Sequence, residues 1–160
     1  MAQPLILSRR RTLALAAGAI AAPALLATVR PAGASPIYVE GQTAIDGSDP
    51  VAYFDGNGPV GGRADITATW EGAIWQFATA ENRDLFLADP ARWAPQYGGY
   101  CAYAMANGYV APTEPAAWTL DNGKLYLNFN VQVRQRWDWN RADFIRRADA
   151  NWPEIRATLV

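Results

Sequence analysis

Residues 66–88, "ITATWEGAIWQFATAENRDLFLA", place two short apolar runs around Glu71-Gly72 and follow them with a helix start. Ile66 to Trp70 alternates apolar side chains with threonine. Ala73 to Phe77 resumes after two turn residues, the spacing of a tight β-hairpin with Ile66, Ala68 and Trp70 on one face. Thr79 is placed to cap a helix with Glu81 in its first turn, and Leu85, Phe86 and Ala88 are expected to pack back on the hairpin before Asp89-Pro90 ends it. A hairpin that needs a helix to cover its apolar face restricts the chain to an α+β arrangement.

The same logic recurs downstream. Trp118 to Leu120 and Lys124 to Asn128 flank Asp121-Asn122-Gly123, in which Asn and Gly tolerate the positive φ of a hairpin turn. Asn130 predicts a helix to about Trp137, and Asn140 another to about Ala150, with Trp152-Pro153 closing the chain against the body. Upstream, turn residues Asp46-Gly47 and Asp49-Pro50 precede a short apolar piece, Val51 to Phe54, and a glycine-rich loop, Gly56 to Gly62. That loop lacks the lysine and hydroxyl of a phosphate cradle and the flanking strand and helix of a dinucleotide site. No repeat or long linker follows Ser35, so residues 35–160 read as one small module of antiparallel β-hairpins packed with short helices.

The residues before Ser35 have another character. Ser8-Arg9-Arg10-Arg11-Thr12-Leu13 introduces an apolar run to Val29, and "AGAS" follows with Ala32 and Ala34 in cleavage positions. This predicts a signal peptide over 1–34 of the twin-arginine type, the alternative being an ordinary secretory signal, and a periplasmic mature chain. The apolar run is broken by Pro23 and short of the roughly 20 residues of a membrane span, so no stable membrane insertion is expected after cleavage. After Ser35 only ten basic residues remain against 15 acidic ones, a net charge of −5. Such a balance argues against nucleic acid or anionic lipid as partner. The five arginines from Arg134 to Arg147 alternate with Asp138 and Asp143, as on a solvated helix face.

The chain has no histidine and a single cysteine, Cys101, inside "YGGYCAYAMANGY". A Cys-His hydrolase, an internal disulfide and a four-ligand Cys/His zinc site are therefore excluded. Paired carboxylates for acid-base work are not evident either, which favours a binding module over an enzyme. Three readings of Cys101 and its surroundings stand beside plain burial of the thiol. Cys101 and Met105, on one face if the stretch is helical, would make a soft pair for copper or another thiophilic ion, with Asp49 adding an oxygen. Alternatively, Cys101 is a redox or sensor thiol, its thiolate secured by a helix start after Gly99-Tyr100 or by a cation such as Lys124. Finally, Tyr97, Tyr100 and Tyr103 could line an aromatic cleft for a small ligand or partner.

The segments "DGSDPVAYFDGNGPVGG", "WEGAIWQFATAENRDLFLADPARWAPQYGGYCAYAMANG", "PAAWTLDNGKLYLNFN" and "ADANWP" together resemble the exported YHS-domain proteins of bacteria. The resemblance spans about Ala44 to Pro153 and implies a small α+β fold with a hairpin on a helix, related to metal-binding modules. In metal-binding relatives the strand-to-helix corner carries Tyr-His-Ser or Phe-Cys-Ser, and the domain start carries Cys-Pro-x-Cys. This chain has Phe77-Ala78-Thr79, with Asn82 after it, and Asp49-Pro50-Val51-Ala52 at those places.

Overall fold

The computed structural model describes residues 35–159, so the signal peptide expected over 1–34 lies outside the described part. The fold is α+β, as expected. Strands β1 (Val39–Glu40), β2 (Thr43–Ala44), β3 (Arg63–Trp70) and β4 (Ala73–Phe77) form one sheet in the order β1-β2-β4-β3. β3 and β4 are the predicted hairpin, with Trp70 opposite Ala73, and Glu71 and Gly72 both take the positive φ that its turn requires. Ile66, Ala68 and Trp70 are half-buried on one face of β3, and Ala73, Trp75 and Phe77 of β4 are fully buried. β2 joins β4 by a parallel pair, Thr43 with Ile74, which no local pattern announces.

Helix α1 (Ala80–Ala88) is capped as predicted, with the Thr79 hydroxyl accepting from Asn82 N. Phe86 is its buried anchor. It stacks among Trp70, Trp75 and Phe77 at centroid distances of 5.0–5.8 Å. Leu85 and Ala88 are exposed, contrary to the sequence expectation. The inward stripe runs through Asn82 and Phe86, one turn apart, which turns Leu85 outward. A short helix, α2 (Pro90–Trp93), follows directly.

The second hairpin pairs β5 (Trp118–Asp121) with β6 (Lys124–Leu127), and Asn122 and Gly123 hold the expected positive φ. Leu125 and Leu127 join the first core, while Tyr126 points the other way, as strand alternation demands. A second core gathers Tyr97, Met105, Tyr126 and Trp137 beneath α3 (Ala102–Ala106), α4 (Val131–Asp138) and α5 (Arg141–Thr158). Asn130 caps α4 by accepting from Val133 N at 2.8 Å.

α5 differs from the expectation. It runs 18 residues, continuing through Pro153 where a stop near Ala150 was expected, and Asn140 makes no side-chain cap bond. Proline removes one helical hydrogen bond, but tertiary contacts outweigh it. Trp152 packs on Tyr97 at 6.2 Å, Ile155 packs on the second core, and Arg156 reaches Glu71 at 2.8 and 2.9 Å. Arg134, Arg141, Arg146 and Arg147 pair with Asp121, Asp138 and Asp143, which agrees with a solvated and largely neutralised face. Among the described residues no helix is long and apolar enough to cross a membrane.

Candidate functional site

Cys101 sits where a loop built on two glycines turns into a helix. Tyr97, Gly98 and Gly99 all have positive φ, so the chain reverses sharply just before the cysteine. Two Cβ positions explain the glycines. At Gly98 a Cβ would collide with the carbonyl oxygen of Pro36, and at Gly99 it would lie 2.7 Å from Cγ2 of Ile45. Cys101 then stands as the residue before α3, its N–H held by Ala111 O at 3.0 Å and its C=O accepting from Met105 N at 2.9 Å.

The thiol is 1% exposed. Its Sγ accepts from the main-chain N–H of Phe129 at 3.2 Å and donates to Oδ1 of Asn128 at 3.7 Å. Burial pushes the Cys101 pKa up, while the N–H groups of Ala104, Phe129 and Tyr103 pull in the opposite direction. Burial prevails, so the resting sulfur is a neutral S–H rather than a thiolate. The helix start that the redox reading asked for is therefore present, yet its downward pull is outweighed by burial.

Asn128, which sequence reasoning passed over as a strand end, is the closest polar side chain. It is fully buried, and its main chain is pinned on both sides, N–H to Ala117 O at 2.9 Å and C=O from Glu114 N at 3.1 Å. Oδ1 also accepts from Tyr103 N at 3.1 Å, whereas Nδ2 has no acceptor among the described residues. A signal was available in the sequence only as an asparagine where an apolar strand residue would be expected.

Met105 is one helical turn beyond Cys101, fully buried in the second core beside Trp137 and Tyr126. Asp49 lies in a different cluster of contacts. Its Oδ1 accepts from Val51 N at 2.9 Å and Ala52 N at 3.3 Å, and its Oδ2 from Ala78 N at 2.8 Å and Asn82 Nδ2 at 2.7 Å. This carboxylate is fully buried, and four N–H groups occupy it. The strand-to-helix corner thus holds no free donor for a metal, because Ala52 and Ala78 offer none and Asp49 is already committed. Among the described residues no group of three or more His, Cys, Asp or Glu side chains is placed to hold an ion.

The three tyrosines do not share one cleft. Tyr97 is buried and donates to Asp149 at 2.9 Å; burial first, and then that carboxylate, pushes its pKa strongly up. Tyr100 donates to Ser35 O at 2.8 Å and stacks on Tyr38, and Tyr103 stacks on Phe144 at 5.1 Å. Tyr97 borders a cleft of about 260 Å³ walled by Trp70, Trp152 and the Glu71–Arg156 pair, which neither Tyr100 nor Tyr103 lines. Lys124 is an exposed strand end, and Arg134 and Arg141 pair with Asp138 and Asp121.

Comparison of the chain with family models, with curated proteins and with solved structures gives no match.

Proposed function

We propose that the protein is an exported, periplasmic binding module of the YHS type, with no reaction of its own, that handles a thiophilic metal ion such as copper through Cys101. The observation that carries this reading is a sulfur shielded from solvent that accepts from the main-chain N–H of Phe129 at 3.2 Å at the start of α3. A donor aimed at sulfur suits one that carries negative charge in one of its states.

Cys101 would hold such an ion through its sulfur, giving up the thiol proton to solvent, and a monovalent soft cation there would leave the buried pair neutral. Met105, one turn away, offers the soft thioether partner. Asp49 takes no part, since its lone pairs already hold the domain start to the corner. The resemblance to YHS modules supports a binding role, although the corner used by metal-binding relatives is closed here by that carboxylate.

The test is elemental mass spectrometry of the protein purified from periplasm without oxygen, alongside Cys101→Ala. Stoichiometric soft metal in the parent and none in the variant is the expected result. Equal metal in both, or none in either, overturns the reading.

A further inference from the structure

We propose that the cleft between the β3–β4 turn and α5 binds a small zwitterion of the betaine class, a quaternary ammonium carrying a carboxylate. Glu71 and the aromatic walls take the ammonium, and Arg156 takes the carboxylate. This site is separate from Cys101 and independent of any metal.

The cleft is assembled from three stretches far apart in sequence. Trp70 and Glu71 come from the end of β3 and its turn, Gln96 and Tyr97 from the turn before Cys101, and Trp152 and Arg156 from one face of α5, four residues apart; together they line about 260 Å³. Sites for drug-sized ligands measure roughly 300–1,000 Å³, so the ligand here is smaller than that. The aromatic walls are held by packing behind them. Trp70 stacks on Trp75 and Phe86, both at 5.8 Å, and Trp152 meets Tyr97 edge-on at 6.2 Å, while the Tyr97 hydroxyl is tied to Asp149. Both indoles stay only half-buried, which leaves ring surface for a ligand. Indole faces attract cations through the ring quadrupole, and quaternary ammonium groups are the ligands that aromatic walls recognise in this way.

Charge at the cleft comes as a matched pair. Both carboxylate oxygens of Glu71 accept from Nη2 of Arg156, at 2.9 and 2.8 Å, and among the described residues Nε and Nη1 of Arg156 have no partner. The two side chains are 29% and 43% exposed, so a ligand can reach either ion. A plain cation would be drawn by Glu71 and repelled by Arg156, and a plain anion the reverse. A zwitterion laid antiparallel to the pair is attracted at both ends, and its carboxylate can take the spare guanidinium donors. Glu71 also has φ of 48°, a conformation that asparagine or glycine adopts with less strain. The turn thus presents a carboxylate to the cleft against its backbone preference, and such strain gathers at ligand sites.

Glycine betaine is the probe, titrated by calorimetry into the purified chain beside tetramethylammonium and acetate, which carry its two charges singly. One-to-one binding of betaine, about 10-fold or more tighter than either single ion, is expected. No betaine binding, or a single ion bound as tightly, overturns the proposal. In nitrogen-15-labelled protein betaine should shift the indole N–H signals of Trp70 and Trp152 and leave that of Trp139, which is 92% exposed and outside the cleft, in place. Binding that moves neither cleft indole overturns the site. In folded Glu71→Gln, which keeps the shape and removes the anion, betaine affinity is expected to fall about 10-fold, with acetate bound no more weakly than before. Unchanged betaine affinity there overturns the part given to Glu71. The three-probe comparison and the indole signals use the unaltered chain, so they decide the matter even where the variant fails to fold.

Discussion

Oδ2 of Asp49 accepts from Nδ2 of Asn82 at 2.7 Å across 33 residues of sequence, and the same oxygen accepts from Ala78 N at 2.8 Å. One carboxylate thus joins the Asp49–Ala52 turn, the end of β4 and the first turn of α1. It performs the joining with hydrogen bonds alone.

Asp49→Ala leaves Val51, Ala52 and Ala78 N–H and the Asn82 amide without their acceptor, and is expected to cost about 2–4 kcal/mol. Asp49→Asn retains one carbonyl oxygen and should lose less. Urea unfolding midpoints of the two variants check this, and a loss below about 1 kcal/mol for the alanine variant would count against the carboxylate as the joining element.

Gly98→Ala meets two obstacles at once. The residue has φ of 63°, and an added Cβ would run into the Pro36 carbonyl oxygen. The carbonyl belongs to main chain and cannot swing aside as a side chain would, so a loss of about 2–4 kcal/mol is expected. Gly56, with φ of 77° but open space around its Cβ, is the control, and Gly56→Ala should cost only about 1 kcal/mol. Equal melting temperatures for the two variants would refute the steric account.

Alkali should unfold the protein through its tyrosines. Burial raises Tyr53 and Tyr126 from 10.0 to about 12. Both phenols bind their protons more tightly in the folded chain than in the unfolded one, so their contribution is complete below pH 10 and is lost as pH rises toward 12. By then Tyr53 contributes about 2 kcal/mol less, and Tyr126, more open to solvent screening, a smaller amount in the same direction. Phenolate absorbance and circular dichroism followed together should show ionisation and unfolding in one step; phenolate formation at the ordinary pH with the fold intact would contradict it.

The elements legible in the sequence were those specified by neighbouring residues. Glu71-Gly72 and Asn122-Gly123 announce their turns, and Thr79 and Asn130 announce their helices, because each acts within four residues of itself. What was not legible depends on distance along the chain. The β2–β4 pair involves strands too short to show a period, and the Asn128–Cys101 contact joins residues 27 apart. Pro153 misled for a physical reason: the local rule for proline is sound, but Trp152, Ile155 and Arg156 beyond it have partners that carry α5 onward. Cys101 itself was legible as the one soft nucleophile. Its protonated state was not, since burial of a side chain is decided by the whole fold.

Tyr100, the residue before Cys101, hangs its hydroxyl on the carbonyl of Ser35, and two residues earlier Gly98 accepts from Tyr38 N while closing on Pro36. The incoming chain therefore lies across the cysteine loop like a strap over a buckle. Removal of residues 35–38 would therefore unbuckle the loop, taking from Tyr100 its acceptor and from Gly98 O its donor on the side of the chain that carries the thiol.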